Sequence, residues 1–508
     1  MSDIYTECYK PMSDRLAQVN LESALASIWC YSWYIESGQE LPVELRSPNP
    51  YLREQLHQGQ LAEVAREAVM HCTRVGGDAL TFDVFARTLD SIREITDRLS
   101  ADCLDADPDN IFQFLDVILQ QQYPLQVKMD VPHILRYRSI FGGELITEMM
   151  RTKLGVTYEE CFFFLFALTG SLARSPRLTS TQNYEAFHIS EERTAALFAW
   201  LSAPVERLAG DMQNQLVLDV NWSSRWNLIA SKPFVQHDPD NPDRMYCPVP
   251  ALLWQKVGQG LAFDLYSCPG FDNAFGAAFE EHVAAFAEYH MFPEKFTVTR
   301  ELAFTHNRYL LNGADLMVSD ASGTIVVECK TKRMNLNARQ FDPGDAKHGE
   351  LVKLAKAVVQ LYKNIVHVGA GRTQWMPQSH RFYPVVVTLE DWLLFSPPTC
   401  ATLDALVLEG LVKENMPTDL VEQWPYTIAS CNELEQLLLV ANETSVASVM
   451  ENKTKPEHRH TMLKGYLPQF HQEQLRAVYP SAFSEKFDLF KQHVIDTWYP
   501  AGYQIPAP

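Results

Sequence analysis

Apolar residues along this chain fall into two rhythms. Over residues 1–235 they recur every three to four positions at 16–34, 51–74, 81–100, 111–122, 133–154, 157–174 and 190–212, with helix breakers between the stretches. That spacing predicts a mostly helical region. Further on the rhythm shortens. Leu316-Met317-Val318 and Ile325-Val326-Val327 are short runs rich in β-branched residues, and Ser319-Asp320-Ala321-Ser322-Gly323 between them is turn chemistry, so together they predict a hairpin. Residues 295–302 predict a strand before it and 382–388 a strand after it, where Pro384 favours a strand start or an edge. Helical spacing flanks these strands. At 273–290 it places Phe275, Phe279, Val283 and Phe286 on one face, and it returns at 345–367, 402–414, 431–442, 471–478 and 482–497.

Polar, proline-punctuated segments at 236–243 and at Phe395-Ser-Pro-Pro398 suggest where the chain changes character. The expected organisation is a helical domain at 1–235, an α/β domain at 236–398 and a helical C-terminal region at 399–508. A short strand at 245–248 and a helix at 249–266 lead into the α/β part. No repeat of fixed period is present. The longest apolar run, 161–173, is too short to span a membrane and predicts a buried helix.

The hairpin carries the candidate chemistry. Side chains alternate faces along a strand, so Glu328 and Lys330 share one face and Cys329 points the other way. Asp315 stands at the end of the partner strand. Two carboxylates and an ammonium converging there can hold a divalent cation and a water beside a phosphate. The same acid-x-Lys pattern occurs at Glu451-Asn452-Lys453 and Asp345-Ala346-Lys347, but only Glu328-Cys329-Lys330 closes an apolar strand whose neighbour supplies a carboxylate.

Asp315 followed by Glu328-Cys329-Lys330 resembles the signature of the PD-(D/E)xK, or restriction-endonuclease-like, nuclease superfamily, with Ala314 where the family has proline. The resemblance covers about residues 270–395. It implies an α/β core of helix, three strands, helix and strand with a mixed sheet, embedded between the helical regions. Gly276-x-x-Phe279-Glu280-x-x-Val283 is similar to the family's first-helix pattern, which makes Glu280 a third carboxylate of the site. Gln360 stands where one branch of the family has a supporting glutamine. The implied activity is metal-dependent hydrolysis of phosphodiester bonds, in DNA by preference, with restriction or anti-phage defence as the implied setting. Asp315, Glu328, Glu280 and the backbone carbonyl of Cys329 would hold Mg²⁺, with Mn²⁺ able to substitute. Lys330 would orient or deprotonate the attacking water.

Charge adds a partner. The 508-residue chain carries a net charge of −20, which argues against a protein that coats nucleic acid indiscriminately. Residues 330–363 reverse that balance, with eight Lys and Arg against three acids, and within them Lys332, Arg333, Lys353 and Lys356 are candidate contacts to a phosphate backbone. Residues 77–110 are acidic, with nine Asp and Glu against three Arg, which suits a partner protein or a homo-oligomer contact better than DNA. Ten scattered cysteines with no CxxC pair predict reduced thiols, and residues 1–20 lack an apolar signal core, so a cytoplasmic protein is expected, with no membrane. The alternatives to a deoxyribonuclease are a nuclease-fold binding or scaffolding subunit and an enzyme that acts on RNA or on nucleic-acid ends.

Overall fold

Helices form where an apolar stripe coincides with end signals. Helix Leu21–Ser37 starts after Asn20, whose side chain accepts from the Ser23 N–H at 3.0 Å, and stops at Gly38 with φ of 74°. Helix Tyr158–Leu172, the apolar run of the sequence, opens on a reciprocal cap between Thr157 and Glu160 and is buried along most of its length. The single helix expected at 133–154 is instead two, Val131–Phe141 and Glu144–Leu154. Gly142 ends the first: a Cβ there would lie 2.5 Å from the Arg138 carbonyl oxygen.

In this computed structural model, which describes residues 2–498 apart from 107–109, 127–129, 239, 307, 332 and 342–343, the chain forms two units. The first comprises Met1–Asp130, Glu144–Pro269 and Val494–Pro508. Its core packs helices Leu21–Ser37 and Gln58–His71 through Leu25, Ile28, Leu61, Val64 and Ala65, all fully buried or nearly so. It also holds a four-stranded sheet in the order Arg177–Thr179, Arg244–Tyr246, Phe234–Gln236, Ser202–Pro204. Only the strand at 244–246 was expected, because three-residue strands leave almost no alternation to read.

The second unit comprises Val131–Gly143 and Gly270–His493. Its elements are α1 (Val131–Phe141), α2 (Phe271–His290), β1 (Thr297–Arg300), β2 (Phe304–His306), β3 (Tyr309–Leu311), β4 (Leu316–Asp320), β5 (Gly323–Lys330), α3 (Asp345–Gly369), β6 (Phe382–Thr388), α4 (Pro397–Lys413), β7 (Thr427–Ser430), α5 (Cys431–Glu443) and α6 (Val446–Lys453), followed by shorter helices. The main sheet runs β7-β6-β5-β4-β1. β4 is antiparallel to both β1 and β5, and β5, β6 and β7 are parallel. From α2 to β6 the order is helix, five strands, helix and strand, with the β2–β3 hairpin standing between β1 and β4.

Burial explains the composition of these strands. Every residue of β4 and β6, and β5 up to Cys329, is buried, as befits strands covered on both faces. On one face Met317, Val326 and Val386 pack with Leu354, Val358 and Leu361 of α3. Each such side chain contributes about 1.5–3 kcal/mol. The turn between β4 and β5 is fixed by Asp320, which accepts from the N–H groups of Ser322 and Gly323 and from that of Val446 at the start of α6. A side chain at Gly323 would meet Tyr383 and Val446 within 3 Å.

One expectation is corrected here. The expected boundaries at 235/236 and 398/399 are not those of the structure, whose second unit begins at Gly270 and includes the helices beyond 398. The reason is β7, which lies in a region expected to be helical and extends the sheet beside β6. Pro384 sits in a strand with neighbours on both sides, yet pairing with β7 begins only at Val385, so Pro384 occupies a stretch that is locally an edge.

A buried ion pair ties α1 into this unit. The Arg136 guanidinium donates to both carboxylate oxygens of Glu435 on α5, at 3.1 and 2.6 Å, and both side chains are 3 % exposed. His282 of α2 lies 3.0 Å from one of those oxygens. Arg136 holds the Glu435 carboxyl down at about 2 against the opposing effect of burial. Arg136→Met strands that charge and is expected to destabilise the protein by roughly 3–5 kcal/mol in chemical denaturation, while Arg136→Met with Glu435→Leu recovers most of the loss. Equal stability of the two variants would contradict this role.

Candidate functional site

Strand register assembles the site. In the β4–β5 ladder Leu316 lies opposite Val327, so one further step sets Asp315 opposite Glu328, on the same face of the sheet. The β1–β4 ladder pairs Arg300 with Leu316, and the same step sets Glu301 beside Asp315, where the Glu301 N–H donates to the Asp315 carbonyl at 3.1 Å. Three carboxylates thus stand in a row across the ends of three adjacent strands. Partial burial raises the pKa of Glu280 on α2, with Asp315 adding to the shift and Lys330 opposing it.

Hydrogen bonds hold the cluster in place. Asp315 Oδ2 accepts from the backbone N–H of Cys329 at 2.6 Å, and Lys330 Nζ donates to Glu328 Oε1 at 2.6 Å. Burial raises the Glu328 carboxyl to about 7, with Asp315 adding to the shift and Lys330 opposing it. Burial likewise raises Asp315 and Glu301. For Lys330 burial works against the ammonium, but Glu328 and Asp315 outweigh it and the pKa goes up. The site is therefore a partly desolvated concentration of negative charge with one fixed ammonium. Chemically it suits a small hard cation with oxygen ligands.

The remaining candidates fall in different places. Gln360 is half-buried on α3 and shares a helical face with Lys353 and Lys356, and it makes no hydrogen bond to Asp315, Glu328 or Lys330 among the described residues. Lys353 and Lys356 are exposed, and Lys353 pairs with Glu350 at 2.7 Å. Arg333 is not presented to a ligand: it is 8 % exposed and pairs with Glu390 at 3.2 Å, because the chain turns inward after β5. Lys332 lies outside the described residues. Cys329 faces away from the carboxylates, 4 % exposed, and burial raises its thiol pKa far above the usual range. Glu301 is a further acid of the site that spacing alone does not single out, because its place follows from pairing the 295–302 strand against β4.

A separate group, His282, Cys431 and Glu435, brings its donor atoms within 4.8 Å of one another. Its soft donors suit zinc better than magnesium. Arg136 already occupies both oxygens of Glu435, so the buried guanidinium is the cation of this cluster. In comparisons with protein-family models, curated proteins and solved structures, none matches this chain.

Clustered acids leave a thermodynamic signature. Glu328 has its folded pKa raised from an ordinary 4.5 to about 7, so the stability it contributes at low pH is lost as pH rises through that interval. Asp315→Asn keeps an acceptor for the Cys329 N–H and removes one repelling charge. It is expected to raise Tm at pH 8 by roughly 2–4 °C, corresponding to about 1 kcal/mol, and by much less at pH 5, where Glu328 is protonated. A drop in Tm of similar size at both pH values would mark Asp315 as a structural residue instead.

Proposed function

We propose that the second unit is a metal-dependent nuclease that hydrolyses phosphodiester bonds, with DNA as the favoured substrate. The observation that carries this reading is the register that sets Asp315 opposite Glu328 with Lys330 two residues along the same strand face. Support comes also from the element order around it and from Glu280 approaching from α2. The finer assignment of the sheet to the PD-(D/E)xK core belongs to the same proposal.

Asp315, Glu328 and Glu280 would hold Mg²⁺ or Mn²⁺, and Glu301 completes the negative rim. When bound, such a cation supplies a more acidic water and neutralises charge that builds on the phosphate. The chain's own groups do the rest. Hydrogen bonding from Cys329 fixes the rotamer of Asp315, so the ligand is positioned before substrate arrives. Lys330 stays an ammonium because Glu328 and Asp315 stabilise its charged form. In that form Lys330 would orient the water and steady the anionic transition state. Exposed Lys356 is available for a backbone phosphate, and Lys353 would reach one on leaving Glu350.

The test is cleavage of supercoiled, linear duplex and single-stranded DNA and of RNA by the purified chain, with Mg²⁺, with Mn²⁺ and with chelator. Cleavage is expected to require the metal and to fall by roughly 10²-fold or more in Lys330→Ala. Activity that persists in chelator and in Lys330→Ala and Glu328→Ala, or no cleavage of any of these nucleic acids, would overturn the assignment.

A further inference from the structure

Between Glu301 and Asp315 the chain leaves the main sheet and returns as the β2–β3 hairpin, so both legs of this ribbon start at carboxylates of the site. The legs are pinched together at the root: a Cβ on Gly313 would lie 2.9 Å from the Leu302 carbonyl oxygen. Phe304 anchors the ribbon, 5 % exposed and with its ring 5.1 Å from that of His367 on α3. Above this root the side chains are uncovered. Tyr309 and Leu310 are each 73 % exposed, and exposed Arg308, in the connection between the strands, adopts φ of 69°. A non-glycine residue there is uncommon, and a lone two-stranded ribbon is marginal in water. Exposing an aromatic ring and a leucine on such a ribbon gains nothing for folding.

Charge indicates what covers them. The chain as a whole carries −20, yet residues 302–314 contain no Asp or Glu and include His306 and Arg308. An acid-free, cation-bearing, aromatic tip beside an acidic cation site is complementary to a polyanion with flat faces. We infer that the β2–β3 hairpin grips unpaired nucleotides of a DNA strand: Tyr309 stacks on a base, Leu310 on the opposite face of the ribbon packs against a second nucleotide and Arg308 meets a phosphate. This inference rests on the nuclease reading of the same site and adds to it a substrate form, single-stranded DNA or a frayed end. Tyr309 is six residues from Asp315, about 20 Å at most along an extended chain. With about 3.4 Å per stacked nucleotide, the gripped base lies within roughly six nucleotides of the scissile phosphate.

The experiment measures binding of fluorescein-labelled single-stranded and duplex DNA oligonucleotides by anisotropy, with Ca²⁺ in place of Mg²⁺ to stall cleavage. The unaltered chain is compared with Tyr309→Ala/Leu310→Ser and Tyr309→Trp. Both changed positions are exposed, so Tm is expected to stay the same. Losing one stacked base is expected to weaken single-strand binding at least fivefold or so, with duplex binding little changed and Tyr309→Trp retaining affinity. A 2-aminopurine base placed at successive positions of the strand is expected to be quenched by the unaltered chain and not by the double variant. Unchanged single-strand affinity and quenching in the double variant, or equal weakening for single strand and duplex, would overturn the role of the hairpin and leave the nuclease assignment standing. No DNA binding by the unaltered chain would sink both readings, and would turn the hairpin toward a protein partner.

Discussion

Carboxylates placed side by side and partly withdrawn from water repel one another, and a protein that keeps them so must hold them by other means. Here the means is antiparallel register. Because Leu316 pairs with Val327 and Arg300 with Leu316, Asp315, Glu301 and Glu328 cannot move apart unless the hydrophobic ladder behind them slips by a residue. Such a slip would turn Met317 and Val326 out of the α3 face of the core. The acids are thus locked together by apolar packing that has nothing to gain from their proximity. Burial and mutual repulsion push the Glu328 carboxyl up to about 7, the Lys330 ammonium acts against that shift, and the Cys329 N–H steadies Asp315. Any ligand that binds the folded chain and neutralises the cluster would relieve it.

The surroundings make the register rigid. β5 and β6 are parallel and buried on both faces, α3 covers the face that carries Glu328, and Asp320 clamps the β4–β5 turn to the first turn of α6. The Arg136–Glu435 pair joins α1 to α5, and His282 on α2 meets the same carboxylate. Glu280 is on that same helix, two residues earlier, so the polar network that seats α2 also fixes where Glu280 can stand. Against this frame the β2–β3 hairpin is the contrasting part, anchored by Phe304 and uncovered at Tyr309 and Leu310.

Much of the sheet was legible because its strands are long enough to show a pattern. The β4–β5 hairpin, its turn and the later strand at 382–388 announce themselves by β-branched runs bounded by turn residues. The strands Arg177–Thr179, Ser202–Pro204 and Phe234–Gln236 of the first unit and β7 did not, since such short runs give almost no period. The break at Gly142-Gly143 was visible as glycines, but nothing local says that the two halves join different units. Asp315, Glu328 and Lys330 were found from alternation on one hairpin. Glu301 was missed because its place depends on a pairing between strands separated by the β2–β3 insertion. Arg333 was misread because local charge cannot show that Glu390, more than fifty residues on, will meet it inside the protein.

The most direct measurement is calorimetric titration of the metal-free chain with Mn²⁺ at pH 7 in two buffers of different ionisation enthalpy. If the strand-end acids grip a cation, binding will release protons, on the order of half a proton per site from Glu328 alone, and Asp315→Ala will abolish the uptake. Failure of Mn²⁺ to bind, or binding that releases no proton and survives the loss of Asp315, would contradict the account.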